Sequence, residues 1–186
     1  MIKLEKKESI YFLTMDAGEN RWNTTFVREI AKALDTIEDD EGPGALITSA
    51  TDSKFFSNGL DLDWMQAPED YPDGGDREVF GEEFMYLMGR FITLPIPTIC
   101  ALNGHTFGAG FMFALSHDFR IMREDRGFIC ANEMQLGLPI PRPELALFKH
   151  KIPANAFFET VQLSKRWTGT DAVSYTHLTL PTSSWV

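Results

Sequence analysis

The chain has 186 residues, with 17 Lys and Arg against 27 Asp and Glu, for a formal charge of −10. That length holds one ordinary domain, and 44% hydrophobic with 24% charged residues is a globular balance rather than a disordered one. The acidity argues against nucleic acid as a partner, since such proteins carry a basic face; no apolar run reaches the roughly 18 residues that a membrane span needs, and MIKLEKKESI lacks a signal-peptide core. Cys100 and Cys130 sit in apolar runs without metal-ligand spacing, which predicts inert buried thiols in a reducing compartment. The expectation is an intracellular, soluble α/β protein with no bound metal.

In chain order, residues 9–15 (SIYFLTM) predict a strand. Residues 25–37 then carry Phe26, Ile30, Ala33, Leu34 and Ile37 on one helical face, with Thr24 or Thr25 as cap. An acidic turn over 39–44 leads to a strand over 45–49. SKFFSNGLDLDWM is a Gly-containing loop entering a short helix, and residues 67–76 form a surface loop. A long helix over 77–92 stops at 94–97 before a strand over 98–102. After NGHTFGAG a helix runs from about 110 to 117. Two strands follow, over 119–122 and 128–131. PIPRPE (139–144) opens a helix with prolines where the first turn tolerates them, and further helices cover 153–163 and, capped by Thr170, 171–173. Strands alternating with helices predict a layered α/β domain, with neither a close internal repeat nor a linker.

Two glycine turns attract attention, Ser57-Asn58-Gly59-Leu60-Asp61 and Asn103-Gly104-His105-Thr106-Phe107-Gly108-Ala109-Gly110. Each follows a strand and precedes a helix, so it offers backbone N–H groups that lack intrahelical partners and sit at the positive end of the helix dipole. Two such turns converging on one point form an oxyanion hole; either alone also reads as a plain tight turn. Neither matches a dinucleotide or P-loop pattern.

With RWN (21–23), KFFSNGLDL (54–62), PTICALNGHTFGAGFMFALSHDFRI (97–121) and FICANEMQLGLPIP (128–141) in this order, the chain resembles the crotonase family, the enoyl-CoA hydratase/isomerase superfamily, and within it the plant-type Δ3,Δ2-enoyl-CoA isomerases. The resemblance implies a ββα superhelix of layered sheets flanked by helices. It implies an acyl-CoA thioester as substrate, no cofactor beyond the coenzyme A that the substrate carries, a homotrimer, and a peroxisomal location. The final Ser-Trp-Val is not an S-K-L type address, and the cytoplasm is the alternative. The N–H groups of Leu60 and Ala109 would form the oxyanion hole, while Ser57, Asn58, Gly59, Asp61, Gly108 and Met112 would line the acyl-CoA cleft. Arg21 and Lys54 are the cations nominated for the CoA phosphates.

Hydratases of the family carry two catalytic glutamates; the matching positions here are Met112 and Glu133. A thioether exchanges no protons near neutral pH, so the pattern disfavours hydration. Double-bond migration needs one base, and Glu133 alone can take a proton from C2 and return it at C4. Its apolar neighbours should raise its pKa. Among plainer readings, His105 and His117 are satisfied structural histidines, Met112 is core or pocket lining, and Asp61 caps its turn. Another crotonase reaction, or an inactive acyl-CoA-binding protein, remains an alternative. The final thirteen residues, SYTHLTLPTSSWV, hold no charge and no helical period. They are expected to be a foreign tail over 174–186, behind a crotonase-like domain over 1–173 that lacks most of the family's C-terminal helical region.

Overall fold

The computed structural model describes residues 1–67, 76–176 and 180–182. The chain opens with β1 (Ile2–Lys7) and β2 (Ile10–Met15), followed by α1 (Thr24–Glu38), β3 (Ala45–Ala50), β4 (Phe55–Ser57), α2 (Leu62–Gln66) and α3 (Phe80–Thr93). It continues through β5 (Thr98–Leu102), β6 (His105–Phe107), α4 (Ala109–Leu115), β7 (Phe119–Arg123), β8 (Ile129–Cys130) and α5 (Glu133–Leu136). Then come α6 (Arg142–Lys151), α7 (Ala154–Val161), α8 (Gly169–Thr176) and β9 (Leu180–Thr182). The expected surface loop over 67–76 lies largely outside the described residues.

A six-stranded sheet has the order β1-β2-β3-β5-β7-β9 and a three-stranded sheet the order β4-β6-β8. Among the described strands β1 and β2 pair antiparallel, and the other ladders run parallel. From β3 onward one unit recurs: a strand of the large sheet, a strand of the small sheet, then a helix. This is the layered ββα arrangement that the resemblance implies. The repeat is absent from the sequence pattern because the second strand of each unit has only two or three residues.

β2 alternates as a half-buried strand should, with Tyr11, Leu13 and Met15 turned inward. α1 buries Phe26, Val27, Ile30, Leu34 and Ile37 against the sheet, and α3 contributes Phe84, Leu87, Met88 and Phe91. Trp22 is fully buried at the centre, with Phe26, Phe84 and Phe113 around it at ring-centroid distances of 5.1, 5.0 and 5.0 Å. Edge-to-face geometry at these distances is favourable beyond the area buried.

Several local expectations change. The cap of α1 is Asn23, whose side chain accepts the Phe26 N–H; Thr24 instead lies in the helix and its hydroxyl donates to the Asp76 carbonyl. The cap of α8 is Thr168 rather than Thr170: Asp171 N–H donates to the Thr168 hydroxyl and the Asp171 carboxylate accepts back from the Thr168 hydroxyl and N–H, a reciprocal capping box. Residues 2–7 form a charged edge strand that the sequence reading passed over. α8 runs from Gly169 to Thr176, and residues 180–182 pair in parallel with β7 as a sixth strand of the large sheet.

Close packing ties the small sheet to its helices. A Cβ added at Gly110, on α4, falls 2.5 Å from the Ser57 Cβ at the end of β4. Gly110→Ala is therefore expected to force the two elements apart and cost about 1–3 kcal/mol, the usual range for overpacking. Urea unfolding checks this, and an unchanged midpoint would contradict it.

Candidate active site

The three strands of the small sheet end on three consecutive pieces of one site. β4 runs into Asn58, Gly59 and Leu60; β6 into Gly108 and Ala109; β8, three residues on, into Glu133. The two glycine turns meet: a Cβ at Gly59 would stand 3.7 Å from Gly108 Cα and 3.0 Å from the Phe107 carbonyl oxygen. Gly59 and Gly108 have φ of 80° and 49°, a region where side chains other than glycine are strained. Among the described residues, neither the Leu60 nor the Ala109 N–H donates a hydrogen bond. Both are thus free to point at a ligand, and Ala109 opens α4, where the helix dipole adds positive character.

The segment 19–22 stitches the first turn in place. Asn58 N–H donates to the Glu19 carbonyl, Trp22 N–H to the Gly59 carbonyl and Asp61 N–H to the Trp22 carbonyl, each at 2.9 Å. The Ser57 hydroxyl accepts from Trp22 Nε1 at 3.0 Å and donates to the Asn20 carbonyl at 2.8 Å, and Gly59 N–H reaches it at 3.3 Å. The RWN signature is thus the brace of a turn.

A cavity of about 530 Å³ opens beside the turns, lined by Asn58, Gly59, Leu60, Gly108, Ala109, Met112 and Glu133 from the expected set. Ser57 and Asp61 are not on its wall. Ser57 is fully buried behind the turn, and Asp61 caps α2 by accepting the Trp64 N–H at 3.2 Å. Much of the remaining wall is apolar: Leu62, Met65, Phe80, Phe84, Leu136, Leu138, Pro139 and Pro141. Arg21 also reaches the cavity, but its guanidinium is held by Glu19 and Asp63 at 2.8 and 2.9 Å. Lys54 lies off the wall, with its ammonium over the Phe55 ring.

Glu133 is 8% exposed, and its Oε2 is buried without a hydrogen-bond partner. A Cβ at Gly108 would lie 3.1 Å from its Oε1, which fixes the carboxyl beside the second turn. Burial raises its pKa, as the apolar surroundings led us to expect.

The sequence reading missed Glu144. This residue of α6 lines the same cavity at 9% exposure, and its carboxyl is pushed up to about 8 by burial first and by the Glu133 charge second. The signal was available: Glu144 lies one turn before the buried Phe148 on the same stripe of α6, an acid where the period calls for an apolar residue. A carboxyl whose folded pKa stands above its ordinary 4.5 binds its proton more tightly in the native state. Its contribution to stability is complete below about pH 4.5 and is lost as pH rises to about 8, by at most about 1.4 kcal/mol per pH unit. Glu144→Gln is expected to flatten that slope. Melting curves between pH 5 and pH 8 test this, and equal slopes in both chains would refute it.

The other titratable groups behave structurally. His117 is fully buried; its Nδ1–H donates to the Phe113 carbonyl and its Nε2 accepts from the Thr48 hydroxyl, both at 2.9 Å, and burial pushes its pKa down to about 3. His105, expected to be satisfied, instead leaves Nδ1 buried without a partner, its ring stacked on Phe107 and Phe128. Burial raises both thiols, Cys130 to about 11, so neither is reactive. Among the described residues no helix is long and apolar enough to cross a membrane.

Stacked ββα units with paired glycine turns and a buried glutamate beside them define a crotonase-fold protein. The enoyl-CoA hydratase/isomerase family model matches residues 5–175. The chain is 35% identical over 176 residues to a peroxisomal enoyl-CoA delta isomerase 2 of Arabidopsis thaliana, covering 93% of this chain and 73% of that protein. It is 33% identical to enoyl-CoA delta isomerase 3 of the same plant over 178 residues, with 94% and 74% covered. An enoyl-CoA hydratase structure from Mycobacterium ulcerans superposes with a TM-score of 0.86 at 23% identity, over 98% of this chain and 77% of that one, a likeness of fold. The chain belongs to the enoyl-CoA hydratase/isomerase family, and is an enzyme of the isomerase or hydratase type.

Proposed function

We propose that the chain is a Δ3,Δ2-enoyl-CoA isomerase of fatty-acid oxidation, converting 3-enoyl-CoA to trans-2-enoyl-CoA. The observation that carries this reading is the buried carboxyl of Glu133 beside Gly108, with Oε2 unpartnered, in a cavity that also holds a Met112 that exchanges no protons. Glu133 takes a proton from C2. The electron pair moves into a dienolate whose negative charge settles on the thioester oxygen, where the Leu60 and Ala109 N–H groups hold it. A proton then arrives at C4, the double bond forms between C2 and C3, and the carbonyl is restored. One carboxyl on one face of the substrate suffices for both transfers. The apolar wall receives the acyl chain, and the reading needs no cofactor beyond the coenzyme A of the substrate.

The test is conversion of 3-hexenoyl-CoA, followed alongside hydration of crotonyl-CoA. Fast isomerisation with hydration slower by orders of magnitude is expected; the reverse ratio would replace this reading by a hydratase. The names of two Arabidopsis relatives support a peroxisomal location, and the family resemblance supports a homotrimer, which light scattering of the purified chain checks.

A further inference from the structure

Glu144 is unexplained by the reading above. It stands in the first turn of α6. It shares the cavity wall with the apolar Leu138, Pro139 and Pro141. An acid drawn out of water onto an apolar cavity wall costs folding energy. Its direction is set by packing. One turn on, Phe148 is fully buried and its ring meets Phe111 of α4 edge-on at 5.4 Å, so the stripe that carries Glu144 faces α4, the helix of Met112. The carboxyl that family hydratases would place at position 112 is absent from α4, and another enters the same cavity from α6. It lies near enough to Glu133 for that charge to add to burial in pushing the Glu144 carboxyl up to about 8, so Glu144 keeps its proton around neutral pH.

We propose that Glu144 is a second catalytic residue, the acid that protonates C4 after Glu133 has deprotonated C2. The inference rests on the isomerase reading and divides its two transfers between two side chains. The C2–H bond breaks and its proton goes to the Glu133 carboxylate. The O–H bond of Glu144 breaks and its proton goes to C4 as the dienolate collapses to the 2-enoyl thioester. Glu133 is left as the acid and Glu144 as the carboxylate. Transfer of one proton from Glu133 to Glu144, directly or through water, restores the starting state. No proton is gained or lost over the cycle.

The experiment is a single turnover, with enzyme in excess, of 3-hexenoyl-CoA carrying deuterium at C2, in ordinary water. Deuterium at C4 of the product is read by mass spectrometry or NMR. In the wild type, C4 is expected to receive ordinary hydrogen from Glu144. In Glu144→Gln, Glu133 must do both jobs, so C2 deuterium is expected to appear at C4 while turnover slows by about 10²-fold. Glu144→Asp keeps a carboxyl and is expected to keep the wild-type label pattern at a lower rate. A structural role for Glu144 changes rate or stability but not the origin of the C4 hydrogen. Wild-type enzyme that carries deuterium to C4 to the same extent as Glu144→Gln overturns this inference and leaves the isomerase reading standing. Wild-type enzyme inert toward 3-hexenoyl-CoA overturns both. If Glu144→Gln does not fold, the wild-type and Glu144→Asp patterns decide: deuterium at C4 in both is the overturning result.

Discussion

Glu133→Gln is expected to lower isomerisation of 3-hexenoyl-CoA by about 10²–10⁴-fold while leaving the fold intact. The magnitude is what a positioned acid–base group contributes. The amide has the size of the carboxyl and cannot take the C2 proton. The fold survives because nothing leans on the charge: Oε2 has no partner, and the raised pKa means that burial already disfavours the ionised form. The melting temperature should accordingly hold or rise near neutral pH. The wild-type rate should fall as pH drops through the raised pKa of Glu133, because only its carboxylate accepts a proton. Initial rates by absorbance of the 2-enoyl thioester, with circular dichroism melts of both chains, are the measurements. Activity retained in Glu133→Gln would end the proposed mechanism.

Trp22→Ala is expected to cost about 3–5 kcal/mol, the range for emptying a large aromatic site. That is a large part of the 5–15 kcal/mol typical of a whole domain. Phe26, Phe84 and Phe113 would together lose their common neighbour. Trp22→Phe separates packing from positioning. It keeps most of the apolar volume but removes the Nε1 donor to Ser57, and should cost nearer 1 kcal/mol. Because the Ser57 hydroxyl also receives the Gly59 N–H, Trp22→Phe should lower turnover by more than its modest loss of stability explains. Urea unfolding and initial rates on the three chains decide. A Trp22→Ala midpoint near that of the wild type would show that the centre of the core lies elsewhere.

The sequence exposed the elements long enough to display a period. The stripe from Phe26 to Ile37 and the strands expected over 45–49 and 98–102 all correspond to observed elements. Of the small sheet only β8 was legible, within the strand expected over 128–131; β4 and β6, with three residues each, display no alternation. The residues that follow them were legible, because glycines at 59 and 108 with positive φ leave a mark that strand residues do not. α1 begins one residue early because Asn23 offers its side-chain oxygen to Phe26 N–H and the threonines behind it are in the helix. β1 was hidden by lysines and glutamates, the composition that keeps an edge strand from pairing with another molecule. Glu144 is hidden because it sits in the proline-rich first turn of α6, and its place on an apolar stripe shows only through Phe148 one turn further on.

The three-stranded sheet has a metric consequence. Its neighbouring strands stand roughly 4.8 Å apart, a spacing that backbone hydrogen bonds impose on every sheet. The Leu60 amide, the Ala109 amide and Glu133 each leave from a different rung of that ladder. On the proposed reading, the gap between the oxygen that collects charge and the carbons that trade protons is therefore measured against the pitch of a parallel sheet. Side chains decide what reaction occurs at each station, and the backbone decides how far apart the stations are. Exchange of a residue such as Met112 can then alter the chemistry without recalibrating the ruler.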